Sequence, residues 1–188
     1  MNFLSLSYAK KIEGILDFWF EYCGPKDWFK KDKYFDSQIK NNFSDLIEDG
    51  VLGYINDWQK SLEGSLALII LTDQFTRNVF RGTPRSFSGD RVALETCLHC
   101  LCAFDISQLE SQRSHFLLIP LMHSESLQLQ EMSLPLFRAH TSDKVYEYAL
   151  KHKNIIARFG RFPHRNAILG RTSTKSEIQF LRSPGSSF

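Results

Sequence analysis

Residues 66–82 read LALIILTDQFTRNVFRG, and their pattern decides the fold class. Leu66, Ala67, Leu68, Ile69, Ile70 and Leu71 are apolar on every side, the pattern of a helix enclosed by other helices. The second half changes character. At about 100° per residue, Asp73, Gln74, Arg77, Asn78 and Arg81 fall within an arc of roughly 140°, while Phe75, Val79 and Phe80 take the other side. Such an arc, continuing a buried helix, faces a polar cavity or its rim, because a bare buried charge costs several kcal/mol. Gly82-Thr83-Pro84 ends the helix with a C′ glycine and a proline beyond it.

Outward from this helix, apolar residues recur at helical spacing. Upstream, Ile12, Ile15, Leu16, Trp19 and Phe20 form one stripe, capped by Ser7 and stopped at Cys23-Gly24-Pro25. Trp28 and Phe29 read as a plug against the core. Asp32 starts a second helix with Phe35, Ile39, Phe43, Leu46 and Ile47 inward, ended by Gly50 or Gly53. Trp58 closes the pair, and residues 62–64 form a turn before the central helix. Downstream, Ser88 or Asp90 caps a helix with Val92, Leu94, Cys97, Leu98 and Leu101 inward. Ser107 caps another, which Pro120 kinks or restarts, and an amphipathic segment runs from there to His140. Ser142 begins a helix that Gly160 ends, Thr174 and Glu177 form a capping box for a last short helix, and residues 183–188 are a tail. No strand alternation or hairpin signal interrupts this series. The expectation is an all-α, irregular antiparallel array occupying 1–188 as a single domain. Self-similarity near ~34 or ~40 residues is absent to the eye, so a repeat fold does not follow from the residues.

Composition narrows the class. A chain of 188 residues, 43% hydrophobic and 13% aromatic, can bury a core and is not disordered. No run approaches the ~20 apolar residues a bilayer requires, and the N-terminus lacks the features of a signal peptide. These point to a soluble cytoplasmic protein with reduced thiols and no membrane partner. Positions 141–188 carry nine Lys/Arg against three Asp/Glu, a basic surplus suited to an anion or to a solvated face.

The second informative stretch is RFGRFPHRN, residues 158–166, followed by Gly170-Arg171. Arg158, Arg161, Arg165 and Arg171 offer planar forks that match carboxylate or phosphate. Gly160 permits a left-handed helix end. Pro163 suits a helix first turn, placing His164, Arg165 and Asn166 at an anion-favouring N-terminus. The structural alternative has these arginines pair with Asp73, Glu125 and other acids. Either way, the segment is expected to meet the central polar stripe. Within Pro120–Ser126, a continuous helix would point His123 roughly 160° from Glu125, so the two could not share an ion unless Pro120 distorts it. His152 is a further imidazole, but no pair has metal-binding spacing, so no metal is assigned. Cys97, Cys100 and Cys102 lie on an amphipathic helix without a second ligand pair and read as small hydrophobes. A Ser124, His164, Asp73 triad can be drawn, but nothing marks a nucleophile.

The segments LALIILTDQFTRNVFRGTPRSF, FLLIPLMHSES and RFGRFPHRNAILGRTST, with the ending FLRSPGSSF, resemble domain of unknown function 924, a family mostly found in bacteria. ILDFWF near the N-terminus, and Trp28-Phe29 followed by Phe35-Asp36, match it too. The resemblance spans nearly the whole chain. It implies an all-helical, tetratricopeptide-repeat-like fold and assigns no activity. The family's motif positions fall on Asp73, Gln74, Arg77, Asn78, Arg81, His123, Glu125, His152, Arg158, Arg161, His164, Arg165, Asn166 and Arg171. The chain departs from it at Thr76, where proline is common, and in the Cys97–Cys102 cluster.

The functional expectation is a pocket for an anionic small molecule bearing phosphate or carboxylate, lined by these residues and needing no cofactor. If it is catalytic, His123 or His164 is the general acid/base and Asp73 its partner. The alternative is a helical adaptor whose groove holds a peptide or partner protein. RNA binding through the basic quarter, with Phe159 and Phe162 interleaved, is disfavoured.

Overall fold

A computed structural model describes residues 7–186, and every regular element in them is helical. The chain divides into two compact units: Met1–Arg81 with Arg85–Gln108, and Gly82–Pro84 with Leu109–Phe188.

In the first unit, α1 (Tyr8–Asp17) runs unbroken into a π-helical turn, Phe18–Tyr22. Ser7 occupies its N-cap without a side-chain capping bond. Helix α2 (Lys33–Leu52) is capped by Asp32, whose carboxylate accepts from the amides of Tyr34 and Phe35, and it ends at left-handed Gly53. Ser61 caps α3 (Leu62–Ile69) through the Gly64 amide. The expected turn at 62–64 is therefore the helix's first turn: a capping serine outweighs one glycine. α3 widens into a π-helical segment, Ile70–Phe75, and continues as α4 (Thr76–Val79). Residues 66–76 are all buried. α3 packs on α1 and α5 (Asp90–Ala103), while α2 covers the π segment and α4. Phe75 is the hub, with ring centroids 5.0 Å from Phe43 and 5.5 Å from Trp19.

Three expectations need correction here. Trp28 is the plug, its indole donating to the Trp19 carbonyl, but Phe29 turns outward and is 62% exposed. Neither Ser88 nor Asp90 caps α5. Gly89 does, because a Cβ there would stand 2.1 Å from the Thr72 carbonyl oxygen, so only glycine lets the two backbones meet. The inward face of α5 is Val92, Ala93, Thr96, Cys97 and Cys100, leaving Leu98 outside. Burial pushes the Cys97 thiol well up and the Cys100 thiol to about 11, so both pack as protonated apolar groups.

The second unit contains α6 (Ser111–His123), α7 (Leu127–His140), α8 (Asp143–Phe159) and α9 (Lys175–Leu181). Consecutive helices α6, α7 and α8 pack on one another. Pro120 does not divide α6 from α7; it is buried within α6, and the break falls at residues 124–126, where the Ser126 hydroxyl caps α7. The expected Ser142 cap, the left-handed Gly160 and the Thr174–Glu177 capping box are all present. No helix among the described residues is long and apolar enough to cross a membrane.

Candidate functional site

The polar arc of the central helix lies in the first unit. A π turn adds a residue to the helical register, so carbonyls lose their usual i+4 partners. Side chains take them up here: the Thr76 hydroxyl donates to Thr72 O at 2.8 Å, and Arg77 Nη1 to Asp73 O at 2.6 Å. The Asp73 carboxylate is fully buried, receives the Gln74 amide and lies 3.3 Å from Arg77 Nη2. Arg77 also reaches Asp90 at 2.9 Å. Burial works against the charged guanidinium, but the two aspartates raise its pKa above the ordinary value. One turn on, Asn78 donates to Asp36 Oδ1 at 2.8 Å, and Arg81 grips Asp36 with Nε and Nη2 at 3.0 and 2.9 Å. The stripe is thus met by carboxylates from α2 and α5. Sequence reasoning singled out the cations but did not pair them with Asp36 or Asp90. The available signal was that guanidinium groups on a buried helix require acids from other helices.

The second unit gathers the remaining candidates. Helix α6 ends at His123, and its last carbonyls are capped from elsewhere. Gln130 Nε2 donates to Met122 O at 2.7 Å and Ser124 O at 2.9 Å, and Arg165 Nη2 donates to His123 O at 3.0 Å. A cation at a helix C-terminus also opposes the helix dipole. Glu125 lies in the turn after α6 rather than on a helix, so the expected opposition to His123 along one helix does not apply. Its carboxylate accepts from the Phe162 amide at 2.7 Å and from Arg171 Nη1 and Nη2 at 2.8 and 3.0 Å. Although burial raises its pKa, these donors bring it below the ordinary carboxylate value. Arg161 makes a similar two-pronged contact with Glu177 at 2.7 and 2.9 Å and reaches Thr172 O. Asn166, fully buried, donates to Ser173 Oγ at 3.0 Å. Arg158 lies over the rings of Phe159 and Phe180 on the exposed side. Pro163–Arg165 is a single 3-10 turn with Pro163 trans, so the helix N-terminus expected to present anion-binding amides is absent.

His152, His164 and the Arg165 guanidinium surround the ring of Phe162, which is fully buried, and His123 stands against His152. His152 and His164 lie 5.6 and 5.5 Å from it, centroid to centroid, and the Arg165 guanidinium carbon lies 4.7 Å from its centre. His123 is 6.1 Å from His152. The His152 Nδ1 is 2.8 Å from the Tyr148 carbonyl, which can only accept, so Nδ1 carries the proton and Nε2 the lone pair. Burial, then His123, His164 and Arg165, lower its pKa to about 3 despite the Tyr148 bond, so the ring is neutral at pH 7. Among the described residues, no group of three or more His, Cys, Asp or Glu could hold a metal ion.

Residues 15–185 match the family described as a bacterial protein of unknown function, DUF924. The chain belongs to the DUF924 family. A solved structure of a protein of unknown function from Agrobacterium tumefaciens is similar across 94% of this chain and 99% of that one, with 33% identity and a TM-score of 0.88. No curated protein matches the chain. The DUF924 match covers both polar groupings and carries no activity with it.

Proposed function

We propose that the second unit binds a small anion, a phosphate or carboxylate, against His123, His164 and Arg165, with neutral His152 as the inner wall. The gathering of His152, His164 and the buried Arg165 guanidinium around Phe162, with His123 against His152, carries this reading. Formal charges support it: Glu125, Arg165 and Arg171 together leave one positive charge before either outer histidine protonates. If chemistry follows, the partly exposed His123 and His164 are the acid/base candidates. His152 is held neutral and so has no imidazolium proton to give as an acid at pH 7. Arg161 with Glu177, and Arg171 with Glu125, belong to the frame in this reading, because within each pair the charges answer one another. Gln74, Arg77, Asn78 and Arg81 hold the first unit together.

The Arg165 bond to the end of α6 favours a second reading, in which the cluster only braces the α6–α7 turn. Histidine-detected NMR separates the two. Titration with inorganic phosphate and with acetate should move the His123 and His164 signals saturably, and Arg165→Lys should weaken that response at least about tenfold, since lysine keeps the charge but loses the fork. Histidine signals unmoved by either anion at tens of millimolar would leave the bracing role alone standing.

A further inference from the structure

Gln130 lies near the start of α7, on its inner face with Ser133 and Phe137, and is fully buried. Its side chain reaches back to the end of α6, where Nε2 donates to the carbonyls of Met122 and Ser124. A carbonyl only accepts, so these two fix which end of the amide is nitrogen, and Oε1 must point the other way. Among the described residues nothing donates to that oxygen. Leaving a buried acceptor unmet costs more than an ordinary hydrogen bond contributes, so such an atom in a folded protein calls for a partner.

The oxygen stands among groups already described. Arg165 Nη2 donates to the His123 carbonyl, between the two carbonyls that hold the Gln130 amide, so the fork and the amide sit side by side on one helix end. Helices α7 and α8 are joined only by Thr141 and Ser142 and pack on one another, an antiparallel pair. Gln130 and His152 stand nearly equally far from that link, so the pairing sets them at one level. His123 stands against His152 in turn. Cationic donors and an unmet acceptor therefore meet at the same corner of the second unit. A carboxylate or a fully ionised phosphate answers only half of this set, because its oxygens accept and do not donate. The other half is a donor on the same molecule. An ammonium group would meet an excess of positive charge, since Arg165 and Arg171 outnumber Glu125. A hydroxyl donates without charge.

Resting on the anion-binding reading of this site, we infer that its ligand is a hydroxy acid: a carboxylate or phosphate head held by His123, His164 and Arg165, with a hydroxyl that donates to Gln130 Oε1. Gln130 is then the residue that sets specificity. A site built to bond a hydroxyl rejects the analogue that lacks it, because its own buried group is left unmet.

The test follows the His123 and His164 NMR signals of the full chain at pH 7 through matched titrations. Glycolate is set against acetate, 3-hydroxypropionate against propionate, and 2-hydroxyethyl phosphate against ethyl phosphate; the pairs also tell which head the site takes. In at least one pair the hydroxylated member should half-saturate at a concentration about tenfold lower. Gln130→Met keeps the length of the side chain and loses the oxygen, so that ratio should fall to about one. The same change uncaps α6 and lowers the melting temperature, and the wild-type pairs decide the matter if the variant does not fold. Equal half-saturation in every pair would overturn the inference and leave the anion site standing. Signals unmoved by any of the six anions would overturn both. Glycine binding more tightly than glycolate would overturn the hydroxyl in favour of an ammonium donor.

Discussion

Acidification should destabilise the second unit through one imidazole before any carboxylate contributes. His152 is 5% exposed on the inner face of α8, its Nδ1 proton given to Tyr148 O, with His123, His164 and Arg165 nearby. Its pKa is depressed from 6.5 to about 3 in the folded protein. Between those values the unfolded chain binds the extra proton and the folded one does not, so stability is lost as pH falls from 6.5 toward 3. Each unit corresponds to about 1.4 kcal/mol, so at pH 5 the loss is on the order of 2 kcal/mol. Carboxylates enter lower. Glu177, held well below its ordinary 4.5 first by Arg161 and then by the Thr174 cap, contributes stability that is present above 4.5 and lost only beneath it. Urea unfolding at pH 7, 6 and 5 therefore isolates the histidine, provided wild type is compared with His152→Phe, a ring of similar size that does not titrate. Wild type should lose about 2 kcal/mol more than the variant between pH 7 and 5. Parallel pH profiles, or a His152 signal titrating near 6.5, would refute the reasoning.

Two further outcomes test the packing. Gly89→Ala should cost about 2–3 kcal/mol in chemical denaturation, since its methyl would press on the Thr72 carbonyl at 2.1 Å with backbone on both sides; an unchanged midpoint would mean that α5 and the π segment separate easily. Asp36→Ala should cost about 2 kcal/mol, because the buried Asn78 amide and the Arg81 fork lose their acceptor together; recovery in the double variant Asp36→Ala with Arg81→Met would tie the loss to that pair.

The helical class, the buried status of residues 66–71 and the caps at Asp32, Ser142, Gly160 and Thr174 could be read without coordinates. These depend on local chemistry: apolar periodicity, an oxygen side chain facing bare amides, or a glycine able to adopt positive φ, as at Gly53 and Gly160. That Asp73, Arg77, His152 and Arg165 are polar groups carried on apolar elements was also legible. Their partners were not. Asp36 is 45 positions from Arg81, Glu125 is 46 from Arg171, and His123 is 42 from Arg165. Periodicity says which face a side chain occupies, and it is silent on what lies opposite. A carboxylate and a guanidinium cancel only when packing brings them within about 3 Å. So the sequence alone determined where charge is carried inward; folding decided that acids neutralise much of it and that His152 and His164 collect around Phe162.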